Sequence, residues 1–200
     1  MRITAAAKDE TRGRILDAAR KLFAKNGFES STTRDIAAAA KIATGTLFNY
    51  FPNKEAIAMT FIAESLTEAN ADFTKRRRDD ESLEEDLFAH IAAGLRRLTP
   101  HRHYVGSVLE TAMSPFTRTP ASEQADSVRV EHLETVTALL QEHGQNELPS
   151  PLTIHLYWTL YLGVLGFWAS DASPKQEDTL AVLDQSMRLF VSSLSANSST

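Results

Sequence analysis

The apolar positions of this chain recur with a helical period almost throughout. Ile15, Ala18, Ala19, Leu22 and Phe23 stand at i, i+3, i+4, i+7 and i+8 with Arg and Lys on the other face, and Asn26-Gly27 supplies a stop. That spacing predicts a first helix over about 8–25. Thr32 can cap a second, short helix, with Asp35 as a weaker stand-in for the capping-box Glu, and the alanine-rich run from Ile36 to Ala40 demands close packing. After a turn at 41–43 a third short helix carries Leu47 and Phe51 inward, until the ring of Pro52 pushes Phe51 out of helical geometry. Asn53 then caps a long fourth helix from Lys54, with apolar positions at Ile57, Phe61, Ile62, Leu66 and Phe73.

Further helices are expected over about 81–98, 101–113, 122–143, 151–169 and 175–194. Breaks fall at Pro100, Ser114-Pro115, Pro120, 144–149 and Ser173-Pro174. No alternating strand pattern competes, no repeat is present, and the serine-rich tail from Ser192 is expected to fray. The expectation is an all-α chain of about nine helices. Residues 1–54 are expected to form a three-helix helix-turn-helix domain, and residues 55–200 a larger helical domain.

Composition sharpens this picture. Two hundred residues with 42% hydrophobic content can bury a real core. The absence of cysteine removes disulfides, thiolate metal sites and cysteine nucleophiles, and suits a cytoplasmic protein. No secretion signal is visible at the start, and the apolar stretch from Leu156 to Ala169 is shorter than the roughly 20 residues of a membrane span. It reads as a buried helix, with no membrane partner. The net charge of −5 hides an asymmetry: residues 1–55 carry ten Lys and Arg against six Asp and Glu, so the remainder holds eleven against twenty. A basic head on an acidic body is expected when only one end meets phosphate.

Two short helices joined by a tight turn, the second with one solvent-facing side, can lay side chains along base edges in a major groove about 12 Å wide. Here they carry Thr32-Thr33-Arg34-Asp35-Ile36-Ala37, then Gly45-Thr46-Leu47-Phe48-Asn49-Tyr50-Phe51-Pro52-Asn53-Lys54. These residues, with the pattern of the first helix from Ile15 to Phe28, resemble the tetracycline-repressor (TetR) family of regulators. The resemblance implies that Thr33 and Arg34 touch DNA, that Thr44, Gly45, Thr46, Asn49 and Tyr50 face the groove, and that Lys54 clamps a phosphate. Physical chemistry supports the set: hydroxyls at helix N-termini suit phosphate oxygens, Asn49 can pair bidentately with adenine, and Gly45 permits close backbone approach.

Three residues depart from the family pattern. Lys41 replaces a turn glycine, with a compensating charge contact to DNA expected from it. Ala43 replaces a serine cap, with Thr44 expected to take over capping. Phe48 replaces a tyrosine, so it can contact DNA only by packing.

His101 and His103 at i, i+2 do not share a helix face and no Asp or Cys completes a tetrahedral set, so neither a metal nor a cofactor is expected. The acidic run from Asp79 to Asp86 reads as exposed charge at a helix junction. Arg12, Arg14 and Arg20 read as a solvated helix face, with contact to a flanking DNA groove as the alternative for an arginine near the start of the first helix. Tyr157, Trp158, Tyr161, Phe167 and Trp168 make a helix that is apolar nearly all round and must be covered on two sides. The resemblance supplies a cover, implying that the last two helices pair across a two-fold axis. The stripe Leu180, Leu183, Met187, Phe190 and Val191 is then a homodimer seam, with packing inside one chain as the alternative. The resemblance also implies a small-molecule effector in the body. Phe61, Phe73, Phe88, His103, Tyr104, Glu110, Met113, Phe116 and Trp158 are the candidates for its pocket. The expected function is a non-enzymatic repressor released from a palindromic double-stranded DNA operator by an effector of unknown identity. The alternatives are a ligand-independent DNA binder, marked by salt dependence without sequence preference, and a helical enzyme or carrier, for which no catalytic constellation is visible.

Overall fold

The computed structural model describes residues 4–78, 80–113, 123–144 and 149–197. Its elements are all helical among the described residues. They are α1 (Ala5–Asn26), α2 (Thr33–Ala39), α3 (Thr44–Phe48), α4 (Lys54–Arg76), α5 (Leu83–Leu98), α6 (Arg102–Met113), α7 (Glu123–Glu142), α8 (Pro151–Ser170) and α9 (Glu177–Asn197), with 3-10 turns at Thr99–His101 and Pro174–Gln176. The expected boundaries hold to within a few residues. The chain divides into two compact units, Met1–Phe61 and Ile62–Thr200, and α4 runs through the division.

In the first unit, α1 closes at Gly27 with φ +82, a conformation that costs glycine little. Ile15, Ala19, Phe23, Phe28, Ile36, Leu47, Phe51, Ile57 and Phe61 form its core, and Phe23 meets Phe28 and Phe61 edge-on at 5.1 and 6.2 Å. The guanidiniums of Arg12 and Arg20 lie over the Phe51 and Phe61 rings at 5.3 and 4.7 Å, so these arginines brace core aromatics as well as facing solvent. Phe61 therefore belongs to the head core and not to a pocket in the body.

In the second unit, α8 has the length and composition to cross a membrane. Tyr157, Trp158, Tyr161, Val164, Leu165 and Trp168 are nonetheless buried against their own unit. The Trp168 indole donates to Gln176 Oε1 at 3.0 Å, and Arg102 donates to the Trp168 carbonyl at 2.8 Å and to the Asp171 carbonyl. Asp171 in turn accepts from the Ser173 and Thr179 amides and the Thr179 hydroxyl, fixing the start of α9. These bonds hold its carboxyl well below the usual carboxylate range.

Three expectations fail here for physical reasons. α9 continues to Asn197 instead of fraying at Ser192, because Leu194 adds one more buried turn to the stripe. Leu183, Met187 and Phe190 of the stripe read as a dimer seam are buried within their own chain, while its Leu180 stays exposed; among the described residues of this unit the other exposed large apolar side chains are Val130, Leu152, Leu156, Phe167 and Leu189. Asp86, assigned to an exposed acidic run, is fully buried: Arg77 donates to both its oxygens at 2.8 Å, and His143 Nε2 lies 2.7 Å from Oδ2. Arg77 also donates to Glu142. One carboxylate thus ties together the chain leaving α4, the first turn of α5 and the end of α7.

Candidate functional site

The α2–α3 pair is built from local rules. Thr32 accepts from the Asp35 amide at 3.1 Å while the Asp35 carboxylate accepts from the Thr32 amide at 3.2 Å, so Asp completes the capping box that usually takes Glu. The Thr32 hydroxyl, 2.6 Å from the carboxylate, and the Thr32 amide hold the Asp35 carboxyl below its ordinary value. Lys41 then adopts φ +57, the left-handed turn that bends the chain into α3. α3 begins at Thr44 after Ala43, which makes no side-chain cap. Thr44 does not take over capping, because it is already the first helical residue.

Leu47 and Phe51 face the core, with 0% and 2% exposure. Gly45, Phe48 and Asn49 are exposed on the other side, with Thr44, Thr46 and Tyr50 half-buried beside them. A Cβ added at Gly45 meets nothing within 4 Å. Nothing inside the protein therefore requires glycine there. Phe48, 49% exposed, is the one large apolar side chain left open on this face. Arg34 and Lys41 are exposed, and Thr33 is half-buried.

In the body, a cavity with about 20 Å³ of room for a water-sized sphere lies among α4, α5, α7 and α8, walled by Leu66, Asn70, His90, Gly94, His132 and Tyr161 among others. Gly94 lets α5 approach α4 closely: a Cβ there would come within 3.3 Å of Leu66 Cδ2. His90 Nε2 lies 3.2 Å from His132 Nδ1, and His132 Nε2 lies 2.9 Å from the Tyr157 hydroxyl. His132 also stacks on Tyr161 at 4.2 Å. Burial pushes the His90 ring down to about 4, and burial with the charge of His90 pushes His132 down as well. Burial drives the Tyr157 and Tyr161 hydroxyls upward.

Comparison with known proteins decides the family. The family model described as "Bacterial regulatory proteins, tetR family" matches residues 15–59, and "Tetracyclin repressor-like, C-terminal domain" matches residues 87–198. The chain belongs to the TetR family. Among curated relatives, the HTH-type transcriptional regulator UidR of Escherichia coli is 41% identical over 63 residues, 32% of each chain. The HTH-type transcriptional repressor KstR of Rhodococcus jostii is 39% identical over 61 residues, 30% of this chain and 29% of its own. These matches span about a third of the relatives' length. The solved structure of Thermus thermophilus FadR, a TetR-family repressor in complex with lauroyl-CoA, superposes with TM-score 0.69 at 22% identity, covering 90% of this chain and 93% of that one. A TetR regulator from Rhodococcus sp. RHA1 gives 0.69 at 18%, covering 92% and 97%. At such identities the structures establish a shared fold.

Two expectations drawn from the TetR pattern take a different form. The Lys54 ammonium donates to the Phe28 and Glu29 carbonyls at 2.9 and 3.3 Å and lies 4.3 Å from the Phe28 ring centre. It braces the segment after α1, its charge also paired with the Glu29 carboxylate at 3.9 Å, and two of its three N–H donors are used inside the protein. Lys41 occupies the left-handed position for which the family uses glycine, which explains the glycine and leaves the lysine side chain exposed.

The pocket candidates do not gather. Phe73 is buried with its ring edge-on to His90 at 5.2 Å, and Trp158 is buried 5.9 Å from His132; both stand behind the cavity wall. Phe88 lines a shallow groove with Glu81, Glu84, Asp184 and Met187. His103 is exposed, packed on Tyr104, whose hydroxyl pairs with His101 Nδ1. Phe116 and the side chains of Glu110 and Met113 lie outside the described residues. The polar wall residues His90 and His132 went unread, although a signal exists. Each interrupts an apolar helical stripe, His90 between Leu87 and Ile91 and His132 between Val128 and Val136.

Proposed function

We propose that this TetR-family chain is a homodimeric transcriptional repressor that holds a near-palindromic DNA operator through α2 and α3 and lets go when a small molecule enters its body. The observation that carries the reading is the sidedness of α3: an anchored inner face of Leu47 and Phe51, and an outer face of Gly45, Thr46, Phe48 and Asn49. That face suits a groove, with Asn49 reading a base edge and Phe48 packing on a thymine methyl or sugar. Thr33, Arg34, Thr44, Tyr50 and Lys41 hold phosphates around it, and Lys54 steadies the head while offering its remaining N–H. Residues 1–54 supply the DNA-binding domain. The surplus of basic residues in this region makes binding salt-sensitive.

Residues 55–200 supply the effector and dimer functions. The exposed Leu152, Leu156, Phe167, Leu180 and Leu189 of α8 and α9 are the apolar surface a second copy would cover. The protein acts without catalysis, in the cytoplasm. Effector release is a coupling between two sites, so operator DNA weakens effector binding by the same factor.

Selection of bound duplexes from a random pool by the full-length protein tests the reading. The expected product is an inverted repeat with half-sites about one helical turn apart, bound by a dimer in sedimentation. Absence of enrichment, or a single half-site bound by a monomer, contradicts it. Phe167→Glu with Leu189→Glu is expected to give a folded monomer with weakened operator binding.

A further inference from the structure

Among the described residues, the orphaned buried side-chain atom is His90 Nδ1, which is sealed from water and has no hydrogen-bond partner. A buried polar group left unpaired is destabilising, so its persistence calls for a physical reason. The rest of the chain of polar atoms fixes what this nitrogen carries. Tyr157 is fully buried and His132 is its one hydrogen-bond partner among the described residues. If His132 donated to Tyr157, the phenolic O–H would itself lack an acceptor and His90 Nδ1 would be a bare lone pair, leaving two groups unpaired. With Tyr157 donating to His132 Nε2, and His132 Nδ1–H donating to His90 Nε2, one unpaired group remains: a His90 Nδ1–H pointing away from His132.

We propose that His90 is the orienting donor of the effector site, and that the effector is an uncharged, largely apolar molecule carrying a carbonyl acceptor that pairs with Nδ1–H. The inference rests on the reading that the body holds an effector. The wall chemistry selects the class. Among the described residues no Lys or Arg lines the cavity, and the acidic Glu131 does, so an anionic head group meets no countercharge there. Asn70, whose side-chain amide lies 3.3 Å from a Thr135 hydroxyl that also donates to the Glu131 carbonyl at 3.1 Å, adds a second polar group to the same wall. Leu66, Ile91 and Val128 supply the apolar remainder. The free space suits about one water, so occupancy widens the cavity. Because α4 forms one wall and also begins in the head unit, that widening acts on the helix that crosses both units. The effector gains a hydrogen bond that the empty state forgoes, which is how one buried donor discriminates strongly between ligands that have an acceptor and ligands that lack one.

The test uses full-length protein with three size-matched probes, butyrophenone, butylbenzene and 4-phenylbutyrate, titrated calorimetrically, together with long-range proton–nitrogen correlation spectra of histidine-labelled protein. The ketone is expected to bind about ten-fold tighter than the hydrocarbon, the worth of one hydrogen bond to an otherwise unpaired donor. The carboxylate is expected to bind weakest. In His90→Leu the ketone preference disappears while hydrocarbon affinity stays within about two-fold. The spectra are expected to show His90 and His132 both protonated on Nδ1. Tyr157→Phe, which touches no ligand, turns that single tautomer into a mixture. A His90 proton on Nε2, equal affinities for ketone and hydrocarbon, or tightest binding by the carboxylate overturns the proposal and leaves an effector pocket standing. Binding of none of the three overturns the proposal together with the effector reading it rests on.

Discussion

Acid will loosen this protein through its body before its carboxylates protonate, because two histidines are folded away in neutral form. His90 drops from an ordinary 6.5 to about 4, and His132 moves the same way. The groups around them offer little compensation: Tyr157 and Tyr161 are held neutral, Phe73 and Ile91 are apolar, and among the described residues Glu131 is the one acidic side chain on the same cavity wall. Below pH 6.5 the unfolded chain takes up protons that the folded chain refuses. Stability is therefore flat above that pH and falls as pH drops from 6.5 towards 4. For His90 alone the full window is worth about 3 kcal/mol, and the step from pH 7 to pH 5 about 2 kcal/mol. With a urea slope of about 2 kcal/mol/M, the midpoint falls by about 1 M over that step. Urea titrations at fixed protein concentration, following tryptophan fluorescence at both pH values, measure it. The same step in His90→Leu is expected to shrink by about 2 kcal/mol, since every other titrating group is common to both proteins. An equal pH response in wild type and variant would refute the claim that His90 is folded in neutral form.

Two further outcomes follow from single residues. Lys41→Gly removes a left-handed lysine and is expected to raise stability by about 0.5–1 kcal/mol in urea titration, the left-handed strain exceeding glycine's extra chain entropy. Arg77→Met strands the buried Asp86 and is expected to cost about 3 kcal/mol by the same assay, with Asp86→Leu in the same chain restoring much of it; a cost below about 1 kcal/mol would show that His143 alone suffices.

Helix positions and the head were legible in the sequence because their causes are local. The Thr32–Asp35 box and the Asn53 side chain accepting from the Ala56 amide at 2.7 Å each act within a few residues, whereas α3 ends at Phe48, ahead of the stop expected at Pro52. The stripe of α9 was legible as apolar, but its partner was not. Leu183 and Phe190 look the same to the sequence whether they meet α8 of their own chain or a second copy. Asp86 and His90 were misread or missed for a related reason. Each is buried by residues far along the chain, Glu142 and His143 beside the Asp86–Arg77 pair and His132 beside His90, and charge or polarity alone reads as surface. Lys54 shows the same limit: its carbonyl partners lie 25 and 26 residues earlier.

The central claim is that the outer face of α3 lies against DNA, and Gly45→Ala tests it most directly. An added methyl meets nothing in the free protein and improves helix propensity, so thermal stability is expected to hold or rise slightly. Fluorescence anisotropy on the selected duplex at one fixed salt concentration is expected to show affinity weakened by about ten-fold or more, as one lost close contact to a base or phosphate would do. Unchanged affinity in this folded variant would contradict the assignment of α3 as the reading helix.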